Sequence, residues 1–151
     1  MFGFRKKTKA RRADPRVQEQ FVQRVAAAAA EFLHSLGPAE RAALDYTPGT
    51  LERLDAAVAR AREGALILTP LQRVGMAAYL YEVARRLHGG QYEVCDDDDP
   101  VVLVAGDAAG TCLCAISHVE RRLAGAEPEP LVALYARYAA AVAAGRPELV
   151  A

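Results

Sequence analysis

The stretch from Thr69 to Gly90, TPLQRVGMAAYLYEVARRLHGG, constrains the fold more than any other part of the chain. Thr69 before Pro70 reads as a helix start, because a threonine hydroxyl accepts a first-turn N–H and proline at the first helical position forfeits no hydrogen bond. Gly89-Gly90 reads as the stop. Between them, Val74, Ala77, Ala78, Tyr81 and Ala84 describe one face, and Met76, Leu80, Val83 and Leu87 a neighbouring one. A helix apolar over so much of its circumference must be buried between layers. Gly75 and Ala78 lower the steric height of one side and let another element approach. Arg85, Arg86 and His88 crowd the last turn, where cations complement the helix dipole.

The flanking sequence supplies those layers. Asp14-Pro15 is a second cap-and-proline start, and Val17, Phe21, Val25, Ala28, Phe32 and Leu36 follow as one apolar stripe up to Gly37-Pro38. The opposite face of that helix holds Arg16, Gln20, Gln23, Arg24 and Glu31. Ala39–Leu44 predicts a short helical turn. Thr50 is expected to cap another helix, with Leu51, Leu54, Val58 and Ala61 inward and Gly64 as its stop. After Gly90 the period changes to two: Gln91–Cys95, Val101–Ala105 and Thr111–Ile116 read as three strands joined by hairpin-length, turn-rich connections. Ser117-His118-Val119-Glu120 matches a capping box for a short helix to Leu123. Glu127-Pro128-Glu129-Pro130 is a rigid link to a last helix carrying Leu131, Leu134, Tyr135, Tyr138, Ala141 and Val142 on its buried side.

Charge is unevenly placed. The chain is formally neutral, with 19 Lys and Arg against 19 Asp and Glu in 151 residues. Residues 1–13 take six of those cations (Arg5, Lys6, Lys7, Lys9, Arg11 and Arg12) and no anion, so the rest of the chain carries a net charge of −6. A basic arm on an acidic body results. The arm also carries Phe2 and Phe4, the composition of a weak anchor to an anionic membrane, and its cations equally suit nucleic-acid phosphates. The basic start runs into Asp14, Gln18, Glu19 and Gln20 instead of an apolar segment, and no run approaches the ~20 apolar residues of a bilayer span. The expected location is a reducing cytoplasm, with the arm as a means of peripheral contact at the inner membrane surface.

Chemistry has few footholds. Cys95, Cys112 and Cys114 are odd in number and clustered, and His118 follows closely. These four are the candidates for a metal or a thiol site, but structural zinc needs four ligands, usually with CxxC turns, and the Cys-x-Cys here lies on a strand. Free cysteine is commonly a small apolar filler, here on an inner sheet face, and that reading is preferred. Asp96, Asp97, Asp98 and Asp99 form the densest charge of the body. They fail the calcium-loop pattern, because Val101 stands where glycine is required, and they read instead as a solvated hairpin tip able to attract a basic partner. No phosphate-binding or dinucleotide glycine loop occurs, so no nucleotide cofactor is expected.

LDYTPGTLERLDAAV, GMAAYLYEVARRLHGGQY and ISHVERRLAGAEPEPLVALYARY occur in an order that resembles a class of uncharacterised bacterial α+β domains, classed as domains of unknown function. In that class an acidic-aromatic-proline turn leads a helix, and a glycine-containing central helix ends at a glycine pair before the sheet. The resemblance covers about Leu44 to Tyr138. It departs after Gly89-Gly90, where a tryptophan is expected and Tyr92 stands nearby. It implies no catalytic residue and no cofactor.

Together these readings predict an α+β fold, with a small three-stranded antiparallel meander packed against a layer of about four to five helices. The basic arm, expected to be a disordered tail unless it binds, is 1–13, the single α+β domain 14–146 and a short C-terminal tail 147–151. The expected function is a non-enzymatic protein-interaction module whose partner is another protein or a second copy of the chain, engaged through the sheet and the Thr69–Gly90 helix. Tyr79 and Arg86, on the side of that helix least committed to packing, are its candidate contacts, with the four aspartates. The competing classes are an accessory protein tethered to membrane or nucleic acid through residues 1–12, and a cysteine-dependent enzyme or zinc protein.

Overall fold

The computed structural model describes residues 14–95, 99–105 and 110–151. The described residues form an α+β fold of six α-helices and a four-stranded mixed sheet. α1 (Pro15–His34) and α4 (Pro70–His88) make the most extensive helix pair. α1 starts on Asp14, whose carboxylate accepts the Arg16 N–H at 2.9 Å. α4 starts on Thr69 with a reciprocal box: the Thr69 hydroxyl accepts from the Gln72 N–H, and the Gln72 side chain accepts from the Thr69 N–H.

Every residue from Gly75 to Ala84 is buried, so α4 is the spine its apolar circumference predicted. Gly75 makes that burial possible. A Cβ there would stand 2.2 Å from the Ala28 carbonyl oxygen and 2.8 Å from the Phe32 Cβ, so α1 and α4 touch through backbone. The α1 stripe is shifted slightly from expectation: Val25, Ala29, Phe32 and Leu36 are buried, whereas Val17 is 44% exposed.

α2 (Pro38–Ala43) and a 3-10 turn (Pro48–Thr50) lead into α3 (Leu51–Arg62), which buries Leu51, Leu54, Ala57 and Val58. Thr50 does not cap α3 through its side chain. Its hydroxyl donates to the Thr47 carbonyl at 2.7 Å or engages the Tyr79 hydroxyl at 2.6 Å.

The sheet runs β1 (Gln91–Val94), β2 (Val101–Ala105), β3 (Thr111–Leu113) and β4 (Leu149–Val150) in spatial order. The first three strands form the expected antiparallel meander, but residues expected to be a tail add β4 in parallel to β3. Tyr92, Leu103, Leu113 and Val150 lie in register across all four strands, and all are buried in the same hydrophobic cluster as α4. Gly90 begins this sheet, and a Cβ there would meet the Val104 carbonyl oxygen at 2.7 Å. At the outer edge of β1, the Gln18 side-chain amide donates to the Tyr92 carbonyl (2.8 Å) and accepts the Tyr92 N–H (3.0 Å). A side chain of α1 thereby stands in for a fifth strand and satisfies the edge.

α5 (Ala115–Leu123) and α6 (Leu131–Ala143) have no side-chain cap from their own N-cap residues, Cys114 and Pro130. Remote side chains satisfy them instead. The Asp55 carboxylate of α3 accepts the Leu131 and Val132 N–H groups at 2.7 and 3.1 Å. At α5 the Tyr81 hydroxyl accepts the Ala115 N–H at 3.0 Å, and Asp99 accepts the Ser117 N–H at 2.8 Å. The capping box expected at Ser117 is therefore not formed. The helix begins earlier, at Ala115, and Ser117 lies inside its first turn. Glu120 turns outward and pairs with Arg73 of α4 at 2.8 Å.

Candidate functional site

Between α1 and α4, beside their glycine contact, a groove of about 180 Å³ opens to the surface. α1 contributes Phe21, Arg24, Val25 and Ala28, at the helical spacing that places them on one side. Val74, Ala78 and Tyr81 of α4 form the facing wall, and Val101 of β2 and Ile116 of α5 close the end. The two alanines keep the space open between the larger residues, and Arg24 is the one charged residue of the lining among the described residues. Val17, one turn before Phe21, is 44% exposed and Val74 of the facing wall 38%.

The hydroxyl of Tyr81 in this lining is already committed. The Tyr81 hydroxyl donates to the Val101 carbonyl at 2.6 Å and accepts from Ala115. Burial pushes its pKa well above the ordinary phenol value, so it offers no base near neutrality. The lining presents apolar surface with one peripheral cation, an arrangement suited to binding.

The candidates read from sequence are placed elsewhere, and two of them are corrected. Tyr79 is not on a free side of α4: it is fully buried. Its ring stacks on Tyr46 with centroids 4.7 Å apart, and its hydroxyl accepts the Tyr46 N–H at 3.0 Å. Arg86 lies over the other face of Tyr46, 4.0 Å from the ring centroid, and 3.8 Å from Glu82. Glu82, buried on the same helix, accepts two hydrogen bonds from Arg85 (2.7 and 3.0 Å) and one from the Tyr92 hydroxyl (2.9 Å). These contacts bind the 45–50 turn and β1 to α4. Arg85 and Arg86 are thus held chiefly by a buried carboxylate, beyond any help from the helix dipole.

Asp99 is the second correction. It is buried and caps α5, so it is no part of a solvated acidic tip. Asp96, Asp97 and Asp98 lie outside the described residues, as do Arg5, Lys6, Lys7, Lys9, Arg11 and Arg12 of the arm.

The thiols are partly gathered. Cys112 and Cys114 have their Sγ atoms 3.9 Å apart. Strand alternation sets Cys112 opposite to Thr111 and Leu113, which are buried on the helix side, so the expected inner-face location is reversed. His118 does not join them by hydrogen bonding: it is buried, with Nε2 2.9 Å from the Glu129 carbonyl oxygen. Among the described residues, no group of three or more His, Cys, Asp or Glu side chains gathers as a metal site.

Sequence reading missed Arg24 as a groove residue, having placed it on the polar face of α1. It also missed Tyr46, Gln18 and Asp55, whose partners are remote. The continuation of the α1 stripe to Val17 and the half-buried Phe21 was the available signal for the groove. Among the described residues, no helix is long and apolar enough to cross a membrane. Comparison of the chain with protein-family models, curated proteins and solved structures finds no match.

Proposed function

We propose that this chain is a non-enzymatic interaction module that receives an apolar side chain of another protein in the groove between α1 and α4. The observation that supports this reading is the open, apolar lining of Phe21, Val25, Ala28, Val74, Ala78, Val101 and Ile116 with Arg24 among them. Interfaces concentrate their energy in such pockets, where an anchor side chain is desolvated and charge is kept to the margin. Arg24 favours a partner segment carrying a carboxylate beside its anchor. The resemblance to uncharacterised bacterial α+β domains adds no residue role to this reading.

A photo-crosslinking side chain placed at Val74, in the full chain and in its own cell, tests it. A discrete heteromeric adduct is expected, lost in Ile116→Glu and weakened in Arg24→Glu while circular dichroism stays unchanged. An adduct that survives Ile116→Glu, or that contains only a second copy of this chain, overturns it.

The second reading rests on the charge of the arm, six cations within residues 1–13 of a chain whose remainder is net negative. In it, contact is with an anionic membrane or with nucleic acid, and the binding is salt-sensitive. Sedimentation with phosphatidylserine vesicles and gel shift with RNA at low salt, for the full chain and a deletion of residues 1–12, decide it. Equal behaviour of the two chains removes this reading.

A further inference from the structure

Cys112 and Cys114 stand in a position unlike that of filler cysteines. Their sulfurs are 3.9 Å apart, Cys112 is partly open to solvent and Cys114 is only 5% exposed. The same two residues hold the C-terminal strand. The Cys112 N–H donates to the Glu148 carbonyl at 2.8 Å, and the Cys114 N–H donates to the Val150 carbonyl at 2.8 Å. β4 has two residues and is an edge strand with Leu149 68% exposed, so these two backbone bonds, the buried Val150 side chain and the Arg137 bond to the Ala151 carbonyl hold it.

We propose that Cys112 and Cys114 form a peroxide-responsive dithiol whose oxidation to an intramolecular disulfide releases β4 from the sheet. Strand geometry favours the release: disulfides span Cα separations up to about 6.8 Å but prefer shorter ones. Residues two apart on an extended strand have Cα atoms about 6.6–6.8 Å apart, whereas disulfides favour about 5.5–6 Å. Closing the S–S bond therefore puckers β3 at Leu113 and turns the two N–H groups away from β4.

The two thiols have different roles. Cys112 is the thiol open to peroxide, and contact between the two sulfurs lowers its pKa, while the same contact and burial raise that of the buried Cys114. A low-pKa, accessible thiolate beside a resolving thiol is the arrangement of redox-sensing cysteines. The Cys112 thiolate attacks one oxygen of a hydroperoxide. The O–O bond breaks, an alcohol or water leaves with a proton, and Cys112 becomes a sulfenic acid. The Cys114 sulfur then attacks the Cys112 sulfur, the S–O bond breaks, and the departing hydroxide takes the Cys114 proton as water. The two thiols lose two electrons and the peroxide gains them. A small-molecule dithiol restores the pair by two exchange steps.

Cys95, at the end of β1 with its N–H on the Pro100 carbonyl, takes no part in the step. The full-length chain carrying Cys95→Ser, treated with hydrogen peroxide and then N-ethylmaleimide, tests the pairing by intact mass. Loss of two hydrogens with no maleimide added is expected, and dithiothreitol should reverse it. In a further Cys114→Ser variant, dimedone should trap a sulfenic acid on Cys112. In the reciprocal Cys112→Ser variant, Cys114 should trap at least tenfold less. Deuterium uptake of the 146–151 peptide should rise severalfold on oxidation of the Cys95→Ser chain and return on reduction. Maleimide on both thiols after peroxide, a disulfide between two chains, or in the wild type one to Cys95, overturns the dithiol. An intramolecular disulfide with unchanged uptake at 146–151 overturns the strand release.

Discussion

Asp99 and Ser117 are 18 residues apart in sequence, yet the Asp99 carboxylate accepts both the backbone N–H and the side-chain hydroxyl of Ser117. The first turn of α5 is thereby satisfied by a residue preceding β2, and Tyr81 of α4 satisfies its first N–H. α5 supplies Ile116 to the end of the groove, so the position of that wall depends on these two remote acceptors. Asp99→Ala leaves buried donors without a partner, which costs about 2 kcal/mol. Thermal unfolding should show a fall in Tm of about 4–8 °C, and an unchanged Tm would remove Asp99 as the cap.

Gly75 reverses the usual rule for helix glycines. Replacing a helical glycine by alanine ordinarily gains about 1 kcal/mol of helix propensity. Here the new methyl would enter the space of the Ala28 carbonyl and the Phe32 Cβ, both parts of a neighbouring helix. Gly75→Ala should therefore be destabilising by about 2 kcal/mol net, as overpacking of a tight core is. Urea unfolding checks it, and a variant more stable than the parent would show that α1 yields freely.

Tyr46 holds a left-handed backbone, with φ 63°, between the ring of Tyr79 and the guanidinium of Arg86. For a residue with a Cβ, that conformation costs about 1–2 kcal/mol, which glycine does not incur. Tyr46→Ala and Tyr46→Gly both lose the stack, so both should be less stable than the parent. Only the alanine variant keeps the backbone strain, so it should be the weaker of the two by about 1 kcal/mol. Equal unfolding midpoints for the two variants would show that the turn carries no strain.

His88 predicts the behaviour toward mild acid. Partial burial against Tyr135, whose hydroxyl is 2.9 Å from its Nε2, lowers the imidazole pKa below its ordinary value of about 6.5. The unfolded chain then takes up a proton before the folded one does. Stability is complete above the unfolded value and falls as pH drops through it toward the folded one. Asp45 and Glu127, whose carboxyls are lowered by hydrogen bonds from Thr47 and from the Glu129 N–H, act at lower pH. Urea midpoints should therefore fall between pH 7.5 and 5.5 in the parent and fall less in His88→Gln. An equal fall in both would assign the loss to another group.

The readings that succeeded share one property: their physics lies within a turn or two of the chain. Thr69, Pro70 and the eight uncharged residues from Val74 to Tyr81 predict a buried helix because capping and burial periodicity are local. The antiparallel pairing of β1, β2 and β3 followed from alternation and turn residues, but the expected strand Thr111–Ile116 ends at Leu113, where α5 takes over, and β4 adds a parallel fourth strand. Ser117 failed by the same token. Its box motif was intact, but Tyr81 and Asp99 offered better acceptors to an earlier helix start, and a capping motif carries no information about a remote carboxylate.

By itself, the sequence determined that α4 is the spine, that helices flank it, that a small sheet follows it, and that positive charge is concentrated in residues 1–13. Tertiary structure alone decided that Tyr79 turns inward onto Tyr46, that Asp99 and Asp55 cap helices they do not belong to, and that residues 149–150 pair with β3. It also decided that an open groove lies between α1 and α4. The reason is the range of the interactions. Capping, periodicity and charge content act between near neighbours or by composition, while a stacked ring, a remote cap or a two-residue strand gains its energy only after long loops have closed.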